Sequence, residues 1–202
     1  MQRLLTNELK RDSGYFHVWI SATKGHRLFS NTRDQAFFLS LVQDNFSPRK
    51  QISATLGLLR SSMTPDLLAY SLTPTGVHLL IFTTSKSTIE VTGQRLLLDY
   101  VEYLQKLTTM RELPFETLFT FDALTGRHEA LAVSRDIHLL HPNWQEDRYS
   151  SIGFFIHDRR GDWMRPARLV SLFHNKPEWY LKFLKSRATE SDRIFQLAEK
   201  VN

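Results

Sequence analysis

His78 stands in an apolar run, and Asp136, His138 and His141 fall together much later in the segment SRDIHLLHP. Imidazole nitrogens and carboxylate oxygens are donors that hold divalent cations. The chain has no cysteine, which excludes disulfides, zinc-thiolate sites and thiol nucleophiles. His138 and His141 are spaced to share one helix face, so with His78 and Asp136 they could assemble a metal site. The plainer reading is packing: a strand histidine is most often buried or hydrogen-bonded at a core edge. His17 and His26 stand alone and carry no such signal. Tyr100, Tyr103 and Tyr149 offer hydroxyls for nucleophilic chemistry.

The second chemical signal is charge. The formal net charge is +5, and from Arg159 to Asn202 ten Lys or Arg face five Asp or Glu. Such an excess suits a polyanionic partner, because Lys and Arg release counterions from phosphates, or it is a solvated basic surface. Candidate phosphate contacts are Lys24, His26 and Arg27, then Arg159, Arg160, Arg165 and Arg168 around Trp163. No apolar run approaches the roughly 20 residues that span a bilayer. The first residues lack the apolar core of a signal peptide, so a cytoplasmic protein with no membrane partner is expected.

These groups must be positioned by the elements around them. Tyr15–Ala22 reads as a first strand. Asn31 and Thr32 can cap a helix beginning near Arg33, and Ile52, Leu56 and Leu59 repeat at helical spacing after Pro48. Leu67–Leu72 and Val77–Phe82 flank the turn formers Thr73-Pro74-Thr75-Gly76, which predicts a β-hairpin. Ile89–Met110 fits a long amphipathic helix, Phe115–Phe121 alternates as a strand, and Arg127–Leu140 has helical pattern. The expected fold is α+β: a ferredoxin-like βαββαβ unit, with a four-stranded antiparallel sheet and helices on one face. Residues 1–148 would form this domain. Residues 149–202 would be a helical extension packed on it, with helices near Pro166, Pro177 and Ser191. Hydrophobic residues at 42% and charged residues at 23% suit such a globular chain.

Several phrases occur in one order. LAYSLTPTGVHLLI (residues 68–81) resembles AYVLMPNHVHLLI of the HUH single-tyrosine transposases, the small insertion-sequence and REP-associated enzymes. The opening YFHVWISATKGHRLFSNTRDQAFFLSLV is similar to that family's first strand, loop and helix. SRDIHLLHPNW resembles RYIHLNPVRA, RYSSIGFF resembles WSSYxxY, and the tail RLVSLFHNKPEWYLKFL looks like the end of longer members. The resemblance implies single-stranded DNA cut and rejoined beside a hairpin through a phosphotyrosine. Two histidines on one strand, with a third ligand from a helix, would hold the divalent cation.

At those positions this sequence departs from the family. His78 matches the second histidine, but Gly76 replaces the first, and glycine offers no ligand. Asp136 stands at the tyrosine position, where attack on phosphorus would give a labile acyl phosphate. The third ligand falls at Leu140, or at His141 if the family's Asn-Pro aligns with His141-Pro142. The implied protein therefore binds single-stranded or hairpin DNA without cutting it, Lys24, His26 and Arg27 lying where the family meets DNA. No cofactor is expected unless a site for Mg²⁺ or Mn²⁺ is retained. The alternative is an active metal-dependent transposase using displaced residues, such as Asp136 in the catalytic place with His78, His138 and His141, His78 and His141 being the vestigial metal ligands. A third is a scaffold recruited for protein binding. Family members form small homo-oligomers, which allows a homodimer.

Overall fold

The computed structural model describes residues 12–47, 64–107, 119–157 and 159–186. The chain runs β1 (Gly14–Ser21), α1 (Thr32–Phe46), β2 (Asp66–Thr73), β3 (Gly76–Thr83), α2 (Lys86–Leu107), β4 (Thr120–Leu124) and α3 (Arg127–His138). Short helices α4 (Gly153–Ile156) and α5 (Ala167–Val170) precede α6 (Pro177–Lys185). The sheet order is β2-β3-β1-β4, every neighbouring pair antiparallel. This is the expected βαββαβ sheet. The helix expected after Pro48, the first part of the strand expected at Phe115–Phe121 and the helix near Ser191 lie outside the described residues.

Local chemistry sets the boundaries. Asn31 caps α1, its side chain accepting from the amides of Arg33 and Asp34. Pro177 opens α6 at its first turn, where a missing N–H costs nothing. In the β2–β3 hairpin Pro74 fixes φ in the negative range, and Thr75 has no positive φ either. The tight turn is therefore not of the primed type usual in two-residue hairpins. Its carbonyls are taken from outside: Pro74 accepts from the amides of Leu28 and Phe29, and Thr75 from that of Ala22.

The crossover helices α1 and α2 pack on one sheet face, burying Phe38, Val42, Leu96 and Tyr100 against Phe16, Val18, Leu79 and Ile81. The helix that follows the unit, α3, covers the opposite face with the C-terminal segments. There Ala130, Leu131, Ile137, Phe155, Phe173 and Tyr180 close over Leu68, Ala69 and Leu80. Covered on both sides, β2 is an unbroken buried run from Leu67 to Leu72, with a register shift between Leu67 and Ala69.

The outer edge of β2 is closed by the segment after α3. The amide of Leu72 donates to the Tyr149 carbonyl, that of Ser151 to Tyr70, and that of Arg165 to Leu67. A buried polar chain locks this edge. The Ser151 hydroxyl accepts from the Tyr70 amide at 2.8 Å and lies 2.7 Å from His138 Nε2. His138 Nδ1 lies 2.7 Å from the Tyr180 hydroxyl, which meets the Ser134 hydroxyl at 3.0 Å. His138 is 1% exposed. His138→Ala would take one partner from each of two buried hydroxyls and open a cavity, so it should lower unfolding stability by about 2–5 kcal/mol in urea denaturation. A loss within about 0.5 kcal/mol, the range of an ordinary surface change, would contradict this account of the lock.

Candidate functional site

On the face that α3 covers, β1 presents Tyr15, His17 and Trp19, and β3 presents His78, Leu80 and Phe82, by the two-residue alternation of strands. The β1–β3 register pairs Trp19 with His78 and His17 with Leu80, so His17 and His78 are diagonal neighbours. Their rings stack at 5.3 Å with an interplanar angle of 18°, and His17 Nε2 meets His78 Nδ1 at 3.1 Å. One imidazole must donate and the other accept. Burial pushes the His78 pKa down to about 4, with His17 lowering it further. Burial lowers that of His17 too, opposed by Asp122 and Asp136. Both rings are therefore neutral near pH 7. His17, which carried no signal in the sequence, is the partner of His78; only the register reveals it.

Gly76, two residues before His78, points its missing side chain at that same face. A Cβ there would stand 2.8 Å from the Ile20 carbonyl oxygen, closer than a carbon and an oxygen pack. The contact is between backbones, paired through Ser21 and Gly76, so no side-chain rotation relieves it.

The residues of the relocated metal site considered from the sequence are not brought together. His138 is buried in the lock between Ser151 and Tyr180. The ring of His141 sits at the end of β2, Nε2 lying 3.4 Å from the Leu72 carbonyl and 3.3 Å from an Asp147 carboxylate oxygen. It lines an open cavity of about 380 Å³ with Asn143, Glu146, Asp147 and Arg148. Asp136 is exposed on α3. Among the described residues no group of three His, Asp or Glu side chains could hold a metal ion. With Gly76 closed against Ile20 and His78 Nδ1 facing His17, these residues do not fit the Mg²⁺ or Mn²⁺ site of the family resemblance.

The tyrosines are engaged elsewhere. Tyr100 donates to the Leu28 carbonyl at 2.9 Å from within the α1–α2 core, and Tyr103 donates to Asp34 at 3.1 Å. Tyr149 donates to the Thr32 carbonyl at 2.9 Å. Tyr100 belongs to the core on the sheet face away from His78.

Of the basic candidates, Lys24, His26 and Arg27 are exposed on the loop after β1. A turn shapes this loop, the His26 amide donating to the Thr23 carbonyl. Gly25 supplies φ +85°, which a type II turn requires at its third residue. Both loop ends are bonded to the Pro74–Thr75 turn, so the three side chains stand at the Gly76 end of the sheet. Arg159 and Arg160 are exposed too, Arg159 lying over the Phe154 ring at 4.8 Å. Arg168 pairs with Asp66 at 2.7 Å and lies over the Phe82 ring at 3.9 Å. Arg165 donates to the carbonyls of Asp162 and Met164. These last two guanidiniums hold the protein's own chain.

No protein-family model matches the chain, and no curated protein does. The fold is similar to the solved structure of a REP-associated tyrosine transposase bound to a REP hairpin. The TM-score is 0.51 at 8% sequence identity, over 76% of this chain and 89% of that one. At that identity the likeness is one of fold. Among the described residues no helix is long and apolar enough to cross a membrane.

Two outcomes follow from this geometry. Gly76→Ala should cost about 1–3 kcal/mol of stability, the usual range for forcing a group into a closed site, read from the urea midpoint; an unchanged midpoint would show that the strands part freely. The second concerns acid. His78 and His138 have folded pKa values of about 4 and about 3, below the ordinary 6.5. Below about pH 6.5 the unfolded chain binds more protons than the folded one. Stability should therefore be full above that pH and fall as pH drops toward 4 and then 3. His78→Gln should flatten the upper part of the decline; a denaturation midpoint equal at pH 7 and pH 5 would refute the linkage.

Proposed function

We propose that this protein binds hairpin or single-stranded DNA on a transposase-like scaffold and does not cut it by the phosphotyrosine route. The observation that carries the reading is the backbone contact at Gly76. Position 76 has no side chain, and the Ile20 carbonyl leaves no room for one. The neighbouring imidazole, His78, is turned to His17 instead. Asp136 takes the place where the resemblance puts the nucleophile, and Tyr100, Tyr103 and Tyr149 each donate to the protein's own oxygens.

Binding needs none of those groups. Phosphate contacts position a protein on nucleic acid through charge and exposed donors. Lys24, His26 and Arg27 provide them at the Gly76 end of the sheet, and Arg159, over the Phe154 ring, and Arg160 are exposed as well. The fold likeness to a structure holding a REP hairpin supports DNA as the polyanion.

The test is a mobility-shift titration with hairpin oligonucleotides bearing unpaired flanks, repeated across salt concentrations. Binding should weaken as salt rises, and Lys24→Ala or Arg27→Ala should each reduce the slope of log K against log salt by about one. No shift at low salt would remove the DNA-binding reading. Nicked or covalently linked DNA in the presence of Mg²⁺ or Mn²⁺ would reopen the active enzyme with displaced residues.

A further inference from the structure

The rings on the α3 face of the sheet form a continuous series, in which Tyr15 and Phe82 also pack against the core beneath α3. Phe82 meets Tyr15 edge-on at 5.1 Å, His17 stacks on His78, and His17 and Trp19 lie 5.1 Å apart. All five are only partly buried. Helix α3 starts just after Leu124, which pairs with Tyr15, and ends at His138 beside Ser151 and the β2 edge. It thus leaves from the Tyr15 end of β1 and travels toward β2. Trp19 lies at the other end of β1, between His78 on β3 and Thr120 on the edge strand β4.

We propose that Trp19, backed by His17 and His78, is a stacking platform for the unpaired bases of single-stranded DNA, beside a Lys24–Arg27 loop that holds their phosphates. The inference rests on the DNA-binding reading and says which part of the DNA this face takes. Every base has a π-face, so the partly exposed indole of Trp19 can accept one whatever its identity. Four-stranded sheets with rings on their two central strands can hold unpaired bases in this way, and β1 and β3 are the central strands here. Charge on the surface separates the two halves of a nucleotide. The imidazoles are uncharged near neutral pH, and Asp122 and Asp136 act on His17, so phosphate is repelled from the rings. The same carboxylates can accept from exocyclic amino groups at base edges. Ala22, where the cationic loop begins, lies three positions after Trp19. That is about 10 Å of strand at ~3.3 Å per residue, so neighbouring nucleotides can occupy both.

The experiment compares three DNAs on the full chain: a hairpin with an unpaired flank, the same hairpin with abasic flank positions, and the hairpin with no flank. For the unaltered protein the abasic flank should bind about 5- to 150-fold more weakly than the intact one, the change that ~1–3 kcal/mol of stacking per base produces. Trp19→Ala should cause a similar loss on the intact flank and none on the flankless hairpin, with Trp19→Phe recovering most of it. Equal binding of intact and abasic flanks by the unaltered protein overturns the platform, and needs no variant to fold. So does a Trp19→Ala loss that is the same on all three DNAs. Unstructured oligonucleotides separate the two claims. If hairpins fail but single strands bind and lose affinity in Trp19→Ala, the platform stands and hairpin recognition falls; if neither binds, both fall.

Discussion

The structure depends on a buried hydrogen-bonded chain that joins four separate parts of the sequence. Ser134 and His138 come from α3, Tyr180 from α6 and Ser151 from the segment laid along β2, and the chain ends on the Tyr70 backbone. Its protons can run in either direction. With Nε2 protonated, His138 donates to Ser151 and accepts from Tyr180; with Nδ1 protonated, the order reverses, and each hydroxyl still finds an acceptor. Burial keeps the imidazole neutral, which suits either order. A network of this kind is costly when broken and specific when complete. It fixes which face of α3 meets the sheet, and with that where Asp136 can stand.

Much of this architecture can be read locally. The Asn31 cap, the Pro74 hairpin and the helix from Arg127 follow from residue types within a few positions of one another, and they stand where the sequence puts them, within a residue or two. The edge strand was less legible. Alternating phenylalanines suggest Phe115–Phe121, whereas the described strand is Thr120–Leu124, running through Asp122 and mostly exposed. An edge strand has a partner on one side only, so side-chain pattern constrains its limits weakly. The end of α3 came two residues before Leu140, because Leu139 already leaves the helical region.

The site was legible in its identities and not in its pairings. That Gly76 and Asp136 depart from a family pattern needs only the sequence. That Gly76 is sterically closed needs the distance to Ile20, which is set by strand pairing. His17 was invisible as a site residue for the same reason: a diagonal contact between β1 and β3 depends on register, and no local spacing encodes it. The arginines teach the converse. Counting charge in the tail grouped Arg159, Arg160, Arg165 and Arg168 together, yet Arg168 lies against Asp66 and Phe82, and Arg165 turns to nearby carbonyls. Net charge measures how many cations a chain carries and says little about how many remain directed at solvent.

The loop between β1 and α1 has one more consequence. Its two ends are fastened to the same hairpin turn, by Ala22 on one side and Leu28 and Phe29 on the other, and its tip is a tight turn around Gly25. A loop so anchored has already surrendered most of its conformational freedom when the chain folded. Ordering a segment at the moment of association is one of the larger entropic penalties of recognition, and here little remains to be lost. The cationic side chains need only settle their own rotamers, so a ligand arriving at this end of the sheet would meet a shape already set.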